Sequence, residues 1–120
     1  MGRINFIQYQ GKNILIEDFS NLNPGQELLD TIAEAKKLIT SQPRNSVLAV
    51  LDATNTHYDM EIITAMKEFV RANSPYIRSS AVVGISGLLN IALQALSTAS
   101  GRSFPSFANR EDAMEYLLNQ

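Results

Sequence analysis

The sequence predicts an α/β layered domain on a mostly parallel sheet. Two stretches, "SVLAVLDA" (46–53) and "SSAVVGI" (79–85), are almost continuously apolar, the signature of strands buried on both faces. Segments with apolar residues at helical spacing alternate with them. The chain also opens on two short β-rich runs separated by a glycine, an antiparallel start to an otherwise alternating pattern.

Those opening runs are "INFIQY" (4–9) and "NILIEDF" (13–19), with Gly11 supplying the turn between them. Asn23-Pro24-Gly25 then breaks the chain. Leu28, Ile32, Ala35 and Ile39 give a first helix, widened by Leu29, which must stop before Pro43. After "SVLAVLDA" comes a second helix bearing Ile62, Ile63, Met66, Phe69 and Val70, ending near Asn73-Ser74-Pro75. After "SSAVVGI" comes a third, "SGLLNIALQALSTASG", with Ser86 at its start and Gly101 as its stop. "SFPSF" (103–107) is a short strand that Pro105 pushes to a sheet edge. Asn109 and Asp112 then cap a last helix with Ala113, Leu117 and Leu118 inward. The order is β-β-α-β-α-β-α-β-α. Strand–helix–strand crossovers require parallel pairing.

Length and charge narrow the function. A chain of 120 residues is expected to form one domain over 1–120. A net charge of −2, with the ten Lys and Arg scattered, offers no basic footprint for nucleic acid. Without cysteine there is no disulfide framework or thiolate metal site, which suits the cytoplasm. No metal site or cofactor is indicated. "MGRINFIQYQG" lacks the long apolar stretch of a signal peptide, and Phe6 stands where myristoylation wants a hydroxyl residue. The uncharged run 79–101 is too rich in Ser, Asn, Gln and Gly for a transmembrane helix.

The stretches "YQGKNILIEDFSNL", "SQPRNSVLAVLDATN", "KEFVRANSPYIRSSAVVGISGL", "SGRSFPSF" and "NREDAMEYL" follow one another along the chain. In that order and spacing they resemble a STAS domain. More narrowly, the chain resembles the stand-alone SpoIIAA-like proteins, relatives of the anti-sigma-factor antagonist. The resemblance implies a sheet covered by helices and one of two jobs. Some such proteins bind partner proteins under control of phosphorylation, while related folds hold lipids or other apolar ligands. In the switched antagonists an Asp-Ser-Ser-Gly-like motif ends the strand before the second helix. Here Asp52-Ala53-Thr54-Asn55 occupies that place, so Asp52 matches the acid and Thr54 the phosphoacceptor. The chain departs from the motif in having Asn55 for its Gly and "THYD" inserted before the helix.

Read from the residues themselves, "LDATNTHYDMEI" (51–62) is first a strand end handing over to a helix. Thr56-x-x-Asp59 fits a capping box, and Thr54 or Asn55 suits a turn. Its position at the carboxyl end of a parallel strand also makes Asp52, Thr54, Asn55, Ser86 and Gly87 a candidate ligand rim. Gly84 and Gly87 flank a strand-to-helix junction whose amides attract anions. His57, the single histidine, could serve as a general base with Ser86, Asp52 or Asp59, but "GISGLL" lacks the glycine pattern of a nucleophile elbow. A phosphoaspartate arrangement from Asp18, Asp52 and Ser86 lacks its lysine; Arg110 lies beyond the expected cap, and the opening hairpin is expected to misplace Asp18.

The third helix is unusual. Its apolar residues sweep about 200°, where about 100° suffices to cover a sheet. Its opposite side, Asn90, Gln94, Ser97 and Thr98, carries no charge. Leu89, Leu93 and Leu96, with Met60 and Met66 from the second helix, are therefore expected to line an apolar pocket or an interface. The leading expectation is a non-enzymatic module holding a small apolar or lipid-like ligand, or a partner helix, against the second and third helices. The alternative is a protein-interaction domain switched at Thr54. A homodimer or peripheral membrane contact through the third helix also fits the residues.

Overall fold

The computed structural model describes residues 2–85 and 87–120, with only the backbone of Leu88, Leu89, Ala99 and Ser100. Its elements are β1 (Ile4–Tyr9), β2 (Lys12–Asp18), α1 (Gln26–Thr40), β3 (Val47–Asp52), α2 (Met60–Asn73), a 3-10 turn (Ser74–Tyr76), β4 (Ile77–Val83), α3 (Gly87–Ser100), β5 (Ser106–Phe107) and α4 (Arg110–Leu117). The predicted order is the observed one. The strands lie side by side in chain order, β1 antiparallel to β2 and every later pair parallel.

The hairpin closes through two residues. Gln10 and Gly11 both have positive φ, 48° and 86°, so Tyr9 faces Lys12 directly. This is the primed turn whose twist matches the strands. It starts β2 one residue earlier than the apolar pattern alone suggested.

Right-handed crossovers that advance one strand at a time place α1, α2 and α3 on one face. There Leu28, Ile32, Ile62, Phe69 and Leu93 pack on Leu15, Ala49, Leu51 and Val82. The alternate side chains, Ile14, Ile16, Leu48, Val50, Ala81 and Val83, meet Ala113 and Leu117 of α4 on the other face. All six residues of β3 are buried, which explains the unbroken apolar run. Leu118, expected inward, is instead the half-buried residue closing α4.

Two strands begin or end elsewhere than the composition suggests. β4 starts at Ile77 because Ile77 already pairs with Val47, and it stops at Val83 because Gly84 turns the chain at φ 69°. β5 is only two residues long and lies at the edge as Pro105 required. The Pro105 carbonyl still accepts from the Val82 amide at 2.9 Å.

The capping box does not form. Asp59 alone caps α2, its carboxylate accepting from the Ile62 amide at 2.9 Å, whereas the Thr56 hydroxyl donates to the Phe19 carbonyl at 2.6 Å. A bond between two loops outcompetes the local one. At the other termini, Asn109 accepts from the Asp112 amide at 2.8 Å, and Gly101 ends α3 at φ 74°. The N-cap role expected of Ser86 lies outside the described residues.

Candidate functional site

The carboxyl ends of β2 and β3 carry the same device twice. Asp18 accepts from the amide of Ser20 at 3.0 Å and its hydroxyl at 2.5 Å. Asp52 accepts from the amide of Thr54 at 3.0 Å and its hydroxyl at 2.6 Å. Each acid thereby folds the first residues of the loop after it back on the strand. Parallel pairing sets Asp18 directly beside Asp52, so the hairpin does not displace it as the sequence suggested.

Two neighbouring carboxylates repel unless a cation bridges them. Arg110, the first residue of α4, does so. Its Nε donates to Asp52 Oδ2 at 2.7 Å and its Nη2 lies 3.1 Å from Asp18 Oδ1. Arg3, just before β1, approaches Asp18 at 3.6 Å and donates to the Ser20 carbonyl at 2.8 Å. Burial alone would push the Asp52 carboxyl up. The Thr54 hydroxyl and amide, then Arg110, outweigh it and hold the group below its ordinary range. Asp52 is thus a fixed anion, its side chain 9% exposed, while Thr54 is exposed.

The loop holding Thr54 is tightly built. Asn21 and His57 amides donate to the Thr54 and Leu22 carbonyls, and the Asn55 side chain donates to Asn21 Oδ1 at 2.9 Å. Asn55 has φ 55°, the left-handed conformation for which Asn is the best substitute for glycine. The departure from the motif's glycine therefore leaves the backbone shape accessible. Behind the loop stands Gly84, where a Cβ would meet the Thr54 Cα at 2.6 Å. The inserted residues put α2 at Met60, so Thr54 precedes the helix by a full loop. His57 is exposed on that loop.

A second polar cluster was not read from the sequence. Between β2–β4 and the three crossover helices lies a chamber of about 30 Å3. Buried Leu51, Phe69, Leu93 and Phe104 form apolar walls, and half-buried Val70, Ile77 and Ser80 its mouth. Glu17, 4% exposed, faces it, and burial pushes its pKa up to about 8 against the opposing pull of Arg102. Asn73, 3% exposed, also lines it, and its Oδ1 has no hydrogen-bond partner. Arg102 arrives from the α3–β5 connection, stacked 4.9 Å over Phe104, and donates to Ser80 Oγ at 2.9 Å and Ser74 Oγ at 3.3 Å.

The structure separates the predicted site residues. Asp52, Thr54 and Asn55 come together at the carboxyl edge, but neither they nor Gly87 lines the chamber. Leu93 lines it, Met66 is core at 3% exposure, and Leu96 packs half-buried against the core. Met60 is 67% exposed. Ser86 and the Leu89 side chain lie outside the described residues. Ile91, also 67% exposed, shows that the wide apolar arc of α3 overhangs what the sheet covers. Among the described residues there is no group of three metal-ligating His, Cys, Asp or Glu, and no helix is long and apolar enough to cross a membrane.

No family model matches the sequence, and no curated protein matches it. A solved structure does resemble it in fold: an uncharacterised protein of the DUF3478 family with a SpoIIAA-like fold, from Shewanella loihica PV-4. The TM-score is 0.73 at 14% identity, over 95% of this chain and 91% of that one. The fold of this chain is SpoIIAA-like, as the order of its sequence stretches implied.

Proposed function

We propose that this chain is a binding module without chemistry of its own, which engages a partner protein through the carboxyl edge of its sheet and is switched at Thr54. The observation carrying this reading is the Thr54 hydroxyl: exposed, oriented by a 2.6 Å bond to Asp52, at the position matching the acceptor. A kinase would form the Oγ–P bond there, the hydroxyl proton and a nucleoside diphosphate leaving. The new group carries about −1.5 to −2 charge, beside a carboxylate already fixed as an anion. Arg110 is bonded to the same Asp52 carboxylate as the Thr54 hydroxyl, so modification would draw it from the Asp18–Asp52 bridge toward the phosphoryl group.

The test has two parts. Denaturing mass spectrometry of the protein isolated from its own cells should show one phosphoryl mass, mapped to Thr54 and absent from Thr54→Ala. In Thr54→Glu, the Arg110 Nε–H resonance should move relative to wild type. An unmodified chain together with an unmoved Arg110 signal would end this reading. A native mass of the same sample reports whether two copies associate, the dimer suggested by the overhanging face of α3.

A second reading is favoured by the chamber. A small apolar or amphipathic ligand held against α2 and α3 would account for Asn73 Oδ1, buried there without a hydrogen-bond partner. At about 30 Å3 the chamber has room for about two water-sized groups, so such a ligand would seat only its tip there.

A further inference from the structure

The amino ends of the parallel strands gather positive charge. Arg78 walls two neighbouring clefts there, one shared with Lys12 and Ser46, the other with Arg102 and Ser80. None of the described residues lining either cleft is acidic, in a chain whose net charge is −2. Arg3 and Arg110 find their carboxylates at the opposite end of the sheet.

The backbone of β4 aims donors into the second cleft. Val47 pairs with Ile77 and Leu48 with Ser79, so Arg78 is an extra residue bulged out of the ladder. A bulge re-aims the side chain that it carries. Ile77 and Ser80, three positions apart, accordingly both reach the chamber side of the sheet. On its outer side β4 meets β5 only at Val82 and Val83. There the Val82 amide donates outward to the Pro105 carbonyl. The Ser80 amide, two residues earlier, points the same way into the cleft, short of any strand to receive it.

Side chains supply the rest. Arg102 is fixed by its stacking on Phe104 and by its bonds to the Ser74 and Ser80 hydroxyls. Both hydroxyls accept from the guanidinium, so each keeps its own proton to donate. Glu17 faces the chamber on the inner side of Arg102 and does not line the cleft. The cleft is thus rich in donors and positive charge, and its complement is an anion with several acceptor oxygens. Its volume of about 350 Å3 falls within the range of small-ligand sites, roughly 300–1,000 Å3. Guanidinium groups take carboxylate and phosphate alike. Donors converging from a strand, two hydroxyls and two arginines suit a tetrahedral group with three free oxygens better than a planar one with two.

We propose that this cleft binds a small phosphate monoester or free phosphate, its oxygens on Arg78, Arg102 and the Ser80 amide. The site is remote from Thr54 and separate from the chamber, and it depends on neither reading above.

The probes are inorganic phosphate, phenyl phosphate and acetate at constant pH and ionic strength, followed through the Arg78 Nε–H and Ser80 amide resonances. Both phosphates should shift these signals saturably, and acetate far less. Tighter binding of phenyl phosphate assigns the site to an ester, and equal binding assigns it to the free ion. Arg78 is exposed, so Arg78→Gln should fold normally. Read at Ser80, it should weaken phosphate by about tenfold or more, the loss of a charge-assisted hydrogen bond. Lys12→Gln removes the same charge from the neighbouring cleft and should leave the affinity unchanged. If Lys12→Gln weakens phosphate as much as Arg78→Gln does, the anion feels only a diffuse field and the site falls. If acetate matches phosphate, the phosphoryl assignment falls. If neither resonance moves saturably, the cleft is ordinary solvated surface and the proposal is overturned.

Discussion

Replacing Glu17 with Gln keeps the shape of the side chain and removes its proton equilibrium. In the folded chain the carboxyl pKa rises from an ordinary 4.5 to about 8, with burial as the main cause and the charge of Arg102 across the chamber opposing it. Because the folded value exceeds the unfolded one, the proton favours the folded state. The contribution is complete below about pH 4.5 and is lost as pH rises through 8. At about 1.4 kcal/mol per pH unit, the span is worth on the order of 5 kcal/mol. Glu17→Gln should therefore match wild type to about 1 kcal/mol in mild acid and exceed its stability by several kcal/mol in mild alkali. Urea unfolding of both proteins at about pH 4.5, 6, 7.5 and 9 measures this, with equal slopes showing that the same surface is exposed. A difference that stays flat across the series would mean that Glu17 ionises normally and is not desolvated. A variant less stable than wild type in alkali would mean that Glu17 and Arg102 form a working ion pair. Either result refutes the reasoning.

Arg110→Ala removes the bridge between Asp18 and Asp52 and should cost about 1–3 kcal/mol at neutral pH. Since the Asp52 contribution is present above the ordinary carboxylate range and lost as pH falls through its lowered value, the gap from wild type should close in acid denaturation. Gly84→Ala puts a Cβ 2.6 Å from the Thr54 Cα at a φ of +69°, a combination of strain and overlap worth about 2–4 kcal/mol in a thermal or urea melt. Asp59→Ala should cost about 1 kcal/mol and speed amide exchange at Ile62, the residue whose N–H it caps.

Most of the fold was legible because burial on both faces leaves a strong imprint. A strand such as Val47–Asp52 has no solvated side and so no polar alternation. Local signals also held where nothing distant competed, as at Asp59, Asn109 and Gly101. They failed at Thr56, where the carbonyl of Phe19, 37 positions earlier, claims the hydroxyl. Arg110 was read as lying beyond a cap, since its partner Asp52 is 58 positions away and only strand adjacency unites them. Glu17 carried a signal that could have been used. Ile14, Leu15 and Ile16 are all buried, so the strand has no wet face on which a following acid could rest.

One face of the sheet is closed by α4, eight residues long. A helix of that length has little stability in isolation and keeps its shape through Ala113 and Leu117. Such an element opens and recloses more readily than the rest of a domain. The guanidinium that clamps the carboxyl edge belongs to its first turn, so the edge and the helix share one opening equilibrium. Whatever tightens the edge must slow exchange in the last helix, and whatever loosens the helix must free the edge, to the same extent in free energy. The C-terminal helix is then a reporter of the state of the Thr54 loop, readable without touching the loop itself.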